Sequence, residues 1–104
     1  MTDAETTAAA PSTTATLSLP AILDLAAAAP LTERLLAARG SDLSIDAADV
    51  LRVGGQCLQV LLAAAKTWSA DRASFEIARP SGEFVEALQR FGIEPGVLAM
   101  RELA

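Results

Sequence analysis

The sequence predicts an α/β domain in which strands and helices alternate along the chain. Three observations predict it: short runs of alternating apolar and polar residues, longer runs with apolar residues three or four positions apart, and turn residues between them. Strands separated by helices need crossover connections, so we expect a largely parallel or mixed sheet. The pattern predicts about four strands and three or four helices.

The first predicted strand begins at Thr16, with Leu17 and Leu19 on its inner face. Pro20 cannot donate a hydrogen bond to a neighbouring strand, so the strand ends, bulges or lies at a sheet edge there. Residues 22–23 are expected to resume the strand, and a second early strand in a hairpin with the first fits the same pattern.

The first predicted helix covers residues 27–40. Pro30 suits its first turn, Leu31 and Leu35 lie one turn apart on the same face, and Gly40 suits its C-terminal stop.

The rest of the domain continues the alternation. Residues 42–46 predict a strand, 54–68 a second helix and 73–80 another strand. Ser81 is the predicted cap of a third helix that Gly92 ends. That helix carries apolar residues at positions i, i+4 and i+7: Phe84, Leu88 and Phe91.

The domain is expected to span residues 16–104, after a disordered tail over residues 1–15. The tail is rich in Thr and Ala and contains almost no large apolar residue, so it cannot bury enough surface to offset the entropy of ordering. Residues 94–104 are expected to add one short element.

The composition argues against several classes of function. The 104 residues carry a formal charge of −5 without a basic cluster, which argues against binding to nucleic acid or an anionic membrane surface. No apolar run approaches the roughly 20 residues of a membrane span, so direct insertion is not expected. A single cysteine leaves no internal disulfide and no zinc-ligand set. These features are typical of a cytoplasmic protein.

The sequence offers little for catalysis. It contains no histidine, the commonest general base and a frequent metal ligand. Cys57 lies in the first turn of the second helix, where the helix dipole favours a thiolate, but no His or second Cys activates it. Asp46 and Asp49 lack the further partners of a metal or acid–base site. We therefore expect no catalytic residue, metal or cofactor. A small enzyme that uses Cys57 is kept as an alternative, after the two binding functions described below.

The second helix has an outer face with little charge. On a helical projection, its core face consists of Leu58, Leu61, Leu62 and Ala65, with Cys57 and Trp68 at the edge. The opposite face consists of Gln56, Gln59, Val60, Ala63, Lys66 and Thr67. Because solvated helix faces usually carry more charge, this face suits contact with another protein. The alternative is that Val60 and Ala63 are exposed without a partner and that Gly54–Gly55 only makes a tight turn.

Four segments resemble the STAS domain family, which includes anti-sigma-factor antagonists and the tails of sulphate transporters. They read "LPAILDLAAAAPLTERLLAARG", "LSIDAADV", "GGQCLQVLLAAAKTW" and "RPSGEFVEALQRFGI". The resemblance covers residues 16–93 and implies a STAS-like mixed sheet of about four strands with three or four helices packed against it.

The resemblance also implies that a phosphorylation motif of the regulated family members is absent from the turn before the second helix. In regulated family members an Asp-Ser-Ser-Gly motif lies at this turn, and a partner kinase phosphorylates one serine to abolish binding. On this chain the motif falls on residues 54–57. Its serine positions hold Gly55 and Gln56, neither of which can accept phosphate.

The function expected from the resemblance is non-enzymatic protein binding in bacterial signalling. Docking without a phosphoserine switch is expected through Gly54, Gly55, Gln56, Gln59, Val60 and Ala63. The segment "GGQCLQVLLAA" resembles small single-domain STAS proteins of bacterial chemotaxis clusters, which implies a histidine kinase, a response regulator or an anti-sigma-type kinase as partner. A homodimer is compatible with this interpretation. The alternatives are a STAS subunit that braces the ATPase of a lipid-transport ABC transporter, and an ordinary anti-sigma-factor antagonist.

Overall fold

Five strands and three α-helices follow one another over residues 14–98, the part of the chain that the computed structural model describes apart from the side chain of Pro95. The strands are β1 (Thr14–Ser18), β2 (Ile22–Leu23), β3 (Asp42–Asp46), β4 (Arg52–Val53) and β5 (Phe75–Ala78). The helices are α1 (Leu25–Ala38), α2 (Gly55–Ala70) and α3 (Gly82–Arg90), followed by a 3-10 helix at Pro95–Leu98. The predicted α/β fold class is confirmed.

The larger sheet has the strand order β1-β3-β5, and both pairings are parallel. Leu17 lies opposite Ile45, which in turn lies opposite Ile77, so the alternation seen in the sequence brings one apolar row onto the core side. β1 begins at Thr14, two residues before the predicted start. The other residues of the predicted tail, 1–13, lie outside the described range.

The second early strand exists but does not form the predicted hairpin. β2 pairs in parallel with β4 in a separate two-stranded sheet. The carbonyl oxygen of Ala21 accepts hydrogen bonds from the backbone N–H groups of Leu51 and Arg52, at 2.8 and 3.1 Å. These bonds draw the chain after Pro20 toward β4, and the hairpin prediction is therefore wrong.

α1 starts earlier than predicted. The carboxylate of Asp24 caps the helix by accepting a hydrogen bond from the N–H of Ala27 at 3.2 Å. Pro30 therefore lies inside the helix, not in its first turn, and that expectation is wrong. Gly40 ends the helix as predicted, with a φ of +102° that favours glycine.

α3 also ends as predicted. Gly92 has a φ of +72°, and the N–H of Ile93 donates to the carbonyl of Leu88 at 2.9 Å, which gives a Schellman C-cap. Phe91 departs from the predicted apolar stripe because it is the C-cap residue, where the backbone leaves the helix. Its side chain is 48% exposed.

The core lies between the apolar side of the larger sheet and the inner faces of the helices. None of the residues described as buried is polar or charged. Trp68 closes one end, where its indole N–H donates to the carbonyl of Ser41 at 2.7 Å. Within residues 14–98, no helix has the length and apolar character that crossing a membrane requires. The largest fully buried side chains include Leu23, Leu43, Ile45, Leu58, Leu61, Ile77, Phe84, Leu88 and Leu98.

Candidate protein-interaction surface

The turn before α2 begins with a glycine that the fold itself requires. Gly54 is the N-cap of α2, and its N–H donates to the carbonyl oxygen of Leu23 at 2.8 Å. A β-carbon on Gly54 would lie 3.2 Å from that same oxygen, tighter than an ordinary contact. Its φ of −93° is open to any residue. Glycine is therefore needed here for the close approach of β2 and β4, not for an unusual backbone conformation.

The second glycine of the turn has a different environment. A β-carbon on Gly55 would meet the ring of Phe91 at 3.6 Å, which is an ordinary van der Waals distance. Gly55 is the first residue of α2 and is exposed. The fold therefore tolerates a side chain at position 55. Packing does not require glycine there, and the glycine leaves the backbone accessible at the surface.

Cys57 is unsuited to nucleophilic chemistry. Its thiol is fully buried, and Sγ lies 3.2 Å from the carbonyl oxygen of Asp24, to which it donates. Burial raises the pKa of the Cys57 thiol, and the charge of Asp24 raises it further. Desolvation thus outweighs the helix dipole, and Cys57 fills the core as a small apolar residue.

Of the two carboxylates that flank the turn in the sequence, Asp46 is held by hydrogen bonds and Asp49 belongs to no cluster of ligands among the described residues. Asp46 accepts a hydrogen bond from Arg79 at 2.7 Å and another from the N–H of Ala48 at 2.9 Å. The bond from Arg79 is the main reason that the pKa of Asp46 lies below its usual value. Asp49 is exposed. Over residues 14–98, no group of three or more potential ligands is placed to hold a metal ion.

The buried face of α2 is rotated slightly from the predicted one. Leu62 and Ala65, predicted to be central, are half-buried at its edge, whereas Ala64 is buried. The rotation arises because α2 packs against α1 as well as the sheet. The residues of α2 that are buried are Cys57, Leu58, Leu61, Ala64 and Trp68.

The six predicted docking residues fall into two groups. Gly54 and Val60 are half-buried, and Val60 packs against the core beside α1. The other four are exposed and follow one another along the surface of α2, and we call them the α2 ridge: Gly55, Gln56, Gln59 and Ala63.

An apolar depression that the sequence did not predict runs beside the α2 ridge. Its far wall comes from the segment after α3, where Val97 is 55% exposed. Residues 91–97 and α2 are distant in the sequence, so sequence patterns do not reveal that they lie side by side. The one local signal for the depression is the position of Phe91 just before the helix-ending Gly92. We call this depression the trough, and its principal lining residues are Gly55, Gln59, Leu62, Lys66, Phe91, Ile93 and Val97.

Comparison with known protein families supports the resemblance seen in the sequence. Residues 6–100 match the family described as "Mlab, STAS domain". The chain belongs to the STAS domain family. No curated protein and no solved structure matches it.

Membership of the family fits a general role in protein binding, since STAS domains generally act as non-enzymatic binding modules. In this STAS domain, residues 54–57 lie at the junction of β4 and α2. This is the strand-to-helix turn on which the Asp-Ser-Ser-Gly motif of the regulated members falls in the resemblance described above.

Proposed function

We propose that this STAS domain is a non-enzymatic protein-binding module of bacterial signalling, linked to chemotaxis, which docks constitutively through the α2 ridge. The observation that carries the proposal is a turn without a hydroxyl group, followed by an exposed ridge without a charge. Gln56 and Gln59 can each donate and accept hydrogen bonds, and the small side chain of Ala63 permits close approach of a partner.

The chemistry of the turn supports docking without a phosphorylation switch. A phosphoserine at a helix N-terminus adds a charge of about −2 and three acceptor oxygens, which changes what can dock there. None of residues 54–57 has the hydroxyl group on which a phosphoserine or phosphothreonine forms. The partner is therefore expected to bind without prior chemical modification of the turn. The proposed partner classes are a histidine kinase, a response regulator and an anti-sigma-type kinase.

A second candidate is an accessory subunit that braces the ATPase of a lipid-transport ABC transporter. It is compatible with the description of the matched family, "Mlab, STAS domain", which names no anti-sigma-factor antagonist. This role would use the same α2 ridge and likewise needs no phosphate at the turn.

The proposal is tested by affinity capture from the native host with the wild type and two ridge variants. Gln59→Glu and Ala63→Arg are expected to lose the partner and to keep the wild-type melting temperature, because both side chains are exposed. Gln89→Glu on α3 and Ala37→Arg on α1 are the matched controls, since they make the same changes at exposed sites elsewhere.

The identity of the captured protein separates the two candidates. A histidine kinase or response regulator supports the signalling role, and a nucleotide-binding subunit supports the transporter role. If the ridge variants lose binding and melting temperature together, the residues are structural and the proposed docking role is wrong.

A further inference from the structure

We propose that the trough beside the α2 ridge holds an amphipathic helix of the partner, about three turns long, with an apolar stripe and a carboxylate near Lys66. The inference rests on the proposed function, because it specifies which kind of partner segment the same surface binds.

The trough has the length of a short helix. It consists of two adjacent depressions of about 500 and 610 Å³, and Gln59 and Leu62 contribute to the walls of both. Along its near wall, from Gly55 to Lys66, α2 advances about 17 Å at 1.5 Å per residue, or about three turns. A partner helix of the same length would lie alongside α2 within the trough.

The apolar lining indicates what such a helix presents. Phe91 and Val97 expose about half of their side chains on the far wall, and Leu62 and Ile93 are half-buried between the walls. Apolar residues that stay exposed side by side mark candidate protein-binding sites. Helices in such grooves insert anchors at positions i, i+3 or i+4, and i+7, which three turns supply.

The charge of the trough sets the direction of the helix. Lys66 is the one charged residue among the described residues that line it. No ion pair joins Lys66 to another residue of the range 14–98. A partner carboxylate at that end would complement this charge, and such rim charges act mainly on orientation and association rate.

The groove between α1 and α2 is a weaker candidate for the same helix. Its volume is about 190 Å³, and it includes no residue of the turn at positions 54–57. One side of it carries Arg39, which already pairs with Asp71 at 2.8 Å. It offers room for one or two side chains, so we assign the helix to the trough.

The probe is a phage-displayed library of 16-residue peptides with a fixed helical frame, selected on the purified protein. Enriched peptides are expected to carry the i, i+3/i+4, i+7 apolar pattern and an acidic residue at one end. For a synthetic peptide of this kind, Val97→Glu is expected to raise the Kd at least about tenfold. Lys66→Glu is expected to raise it about two- to fivefold, as for an exposed ion pair, and to shift a repeated selection toward basic residues.

The control for Val97→Glu is Leu36→Glu, which changes an exposed apolar residue in the groove between α1 and α2. It is expected to leave the Kd of the peptide unchanged. Because Val97 and Leu36 are 55% and 63% exposed, both variants are expected to keep the wild-type melting temperature. Amide chemical-shift changes on peptide binding are expected at Gln59, Leu62 and Val97.

Several results would overturn the inference. Enrichment without the helical pattern, or shift changes centred on the groove between α1 and α2, would contradict it. Peptide binding that requires removal of residues 99–104 would assign the trough to the chain's own segment, and a dimer dissociated by Val97→Glu would assign it to a second copy. If the native partner is lost with Ala63→Arg but retained with Val97→Glu, the trough inference fails while the proposed function stands.

Discussion

The ring of Phe91 lies 3.6 Å from the point where a β-carbon on Gly55 would sit. This relationship places the residue that ends α3 beside the first residue of α2. The N–H of the preceding residue, Gly54, donates a hydrogen bond to the carbonyl oxygen of Leu23 at 2.8 Å. The start of α2 therefore lies next to both β2 and the end of α3, and the residues of the α2 ridge are exposed.

The two glycines of the turn are expected to respond differently to alanine. Gly54→Ala places a β-carbon 3.2 Å from a backbone oxygen that cannot move away easily, and overpacking of this kind typically costs about 1–3 kcal/mol. Gly55→Ala meets only an ordinary contact and is expected to stay within about 0.5 kcal/mol of the wild type. Urea denaturation of the two variants measures the difference. A larger loss for Gly55→Ala would contradict the described geometry of the turn.

Trp68→Phe is expected to destabilise the domain by about 1–3 kcal/mol. The change removes the indole N–H that donates to Ser41 at 2.7 Å and leaves its carbonyl oxygen without that donor. Thermal unfolding followed by circular dichroism measures the effect. Phe75→Leu is the comparison variant, because it removes the neighbouring ring, 6.0 Å away, and retains the hydrogen bond. Wild-type stability in Trp68→Phe would mean that the bond contributes nothing.

The thiol of Cys57 is expected to react with a disulfide reagent at least about tenfold more slowly in the folded protein than in urea. Its burial hinders access, and its raised pKa keeps the thiolate population low. The rate of thionitrobenzoate release from Ellman's reagent measures this protection. Equal rates in the two states would reopen the interpretation of Cys57 as a reactive group.

Acid is expected to weaken the fold through Asp46 and Asp71. Hydrogen bonds from Arg79 and Arg39, respectively, are the main reason that the folded-state pKa values of these carboxylates lie below their usual range. Groups with lowered pKa values stabilise the fold above their unfolded pKa of about 4, and this stabilisation is lost as the pH falls through the folded-state value.

The variant with both Asp46→Asn and Asp71→Asn tests this pH dependence. It is expected to be slightly less stable than the wild type at pH 7 and to lose less stability between about pH 5 and pH 2. The effect is expected to be small, since both ion pairs are largely exposed. Urea midpoints measured across that pH range provide the comparison, and identical acid slopes would contradict the role of the two carboxylates.

The elements with strong periodicity were predictable from the sequence. Leu43 and Ile45 alternate with polar neighbours, and Ser81 and Gly92 carry local signals for the start and end of α3. The pairing of β2 was not predictable, because a two-residue strand contains no signal that chooses β4 over β1. The partner of β2 is determined by how the whole chain packs, and the sequence of residues 22–23 alone does not indicate it.

The candidate site was predictable only where it depends on the periodicity of a single helix. The exposed positions of Gln59 and Ala63 follow from helical spacing, which the sequence displays. The half-burial of Val60 depends on where α1 packs, and the trough depends on how Phe91 and Val97 return to α2. Helical spacing therefore predicted the ridge, but not the depression beside it.

The most direct test of constitutive docking is the Kd of the purified native partner for the wild type and for Ala63→Arg. The wild type, purified from its native host, is measured before and after phosphatase treatment. Constitutive docking predicts that phosphatase leaves the wild-type Kd unchanged and that Ala63→Arg raises it at least about tenfold, or about 1.4 kcal/mol. A Kd that changes with phosphatase treatment, or that is the same for Ala63→Arg and the wild type, would contradict it.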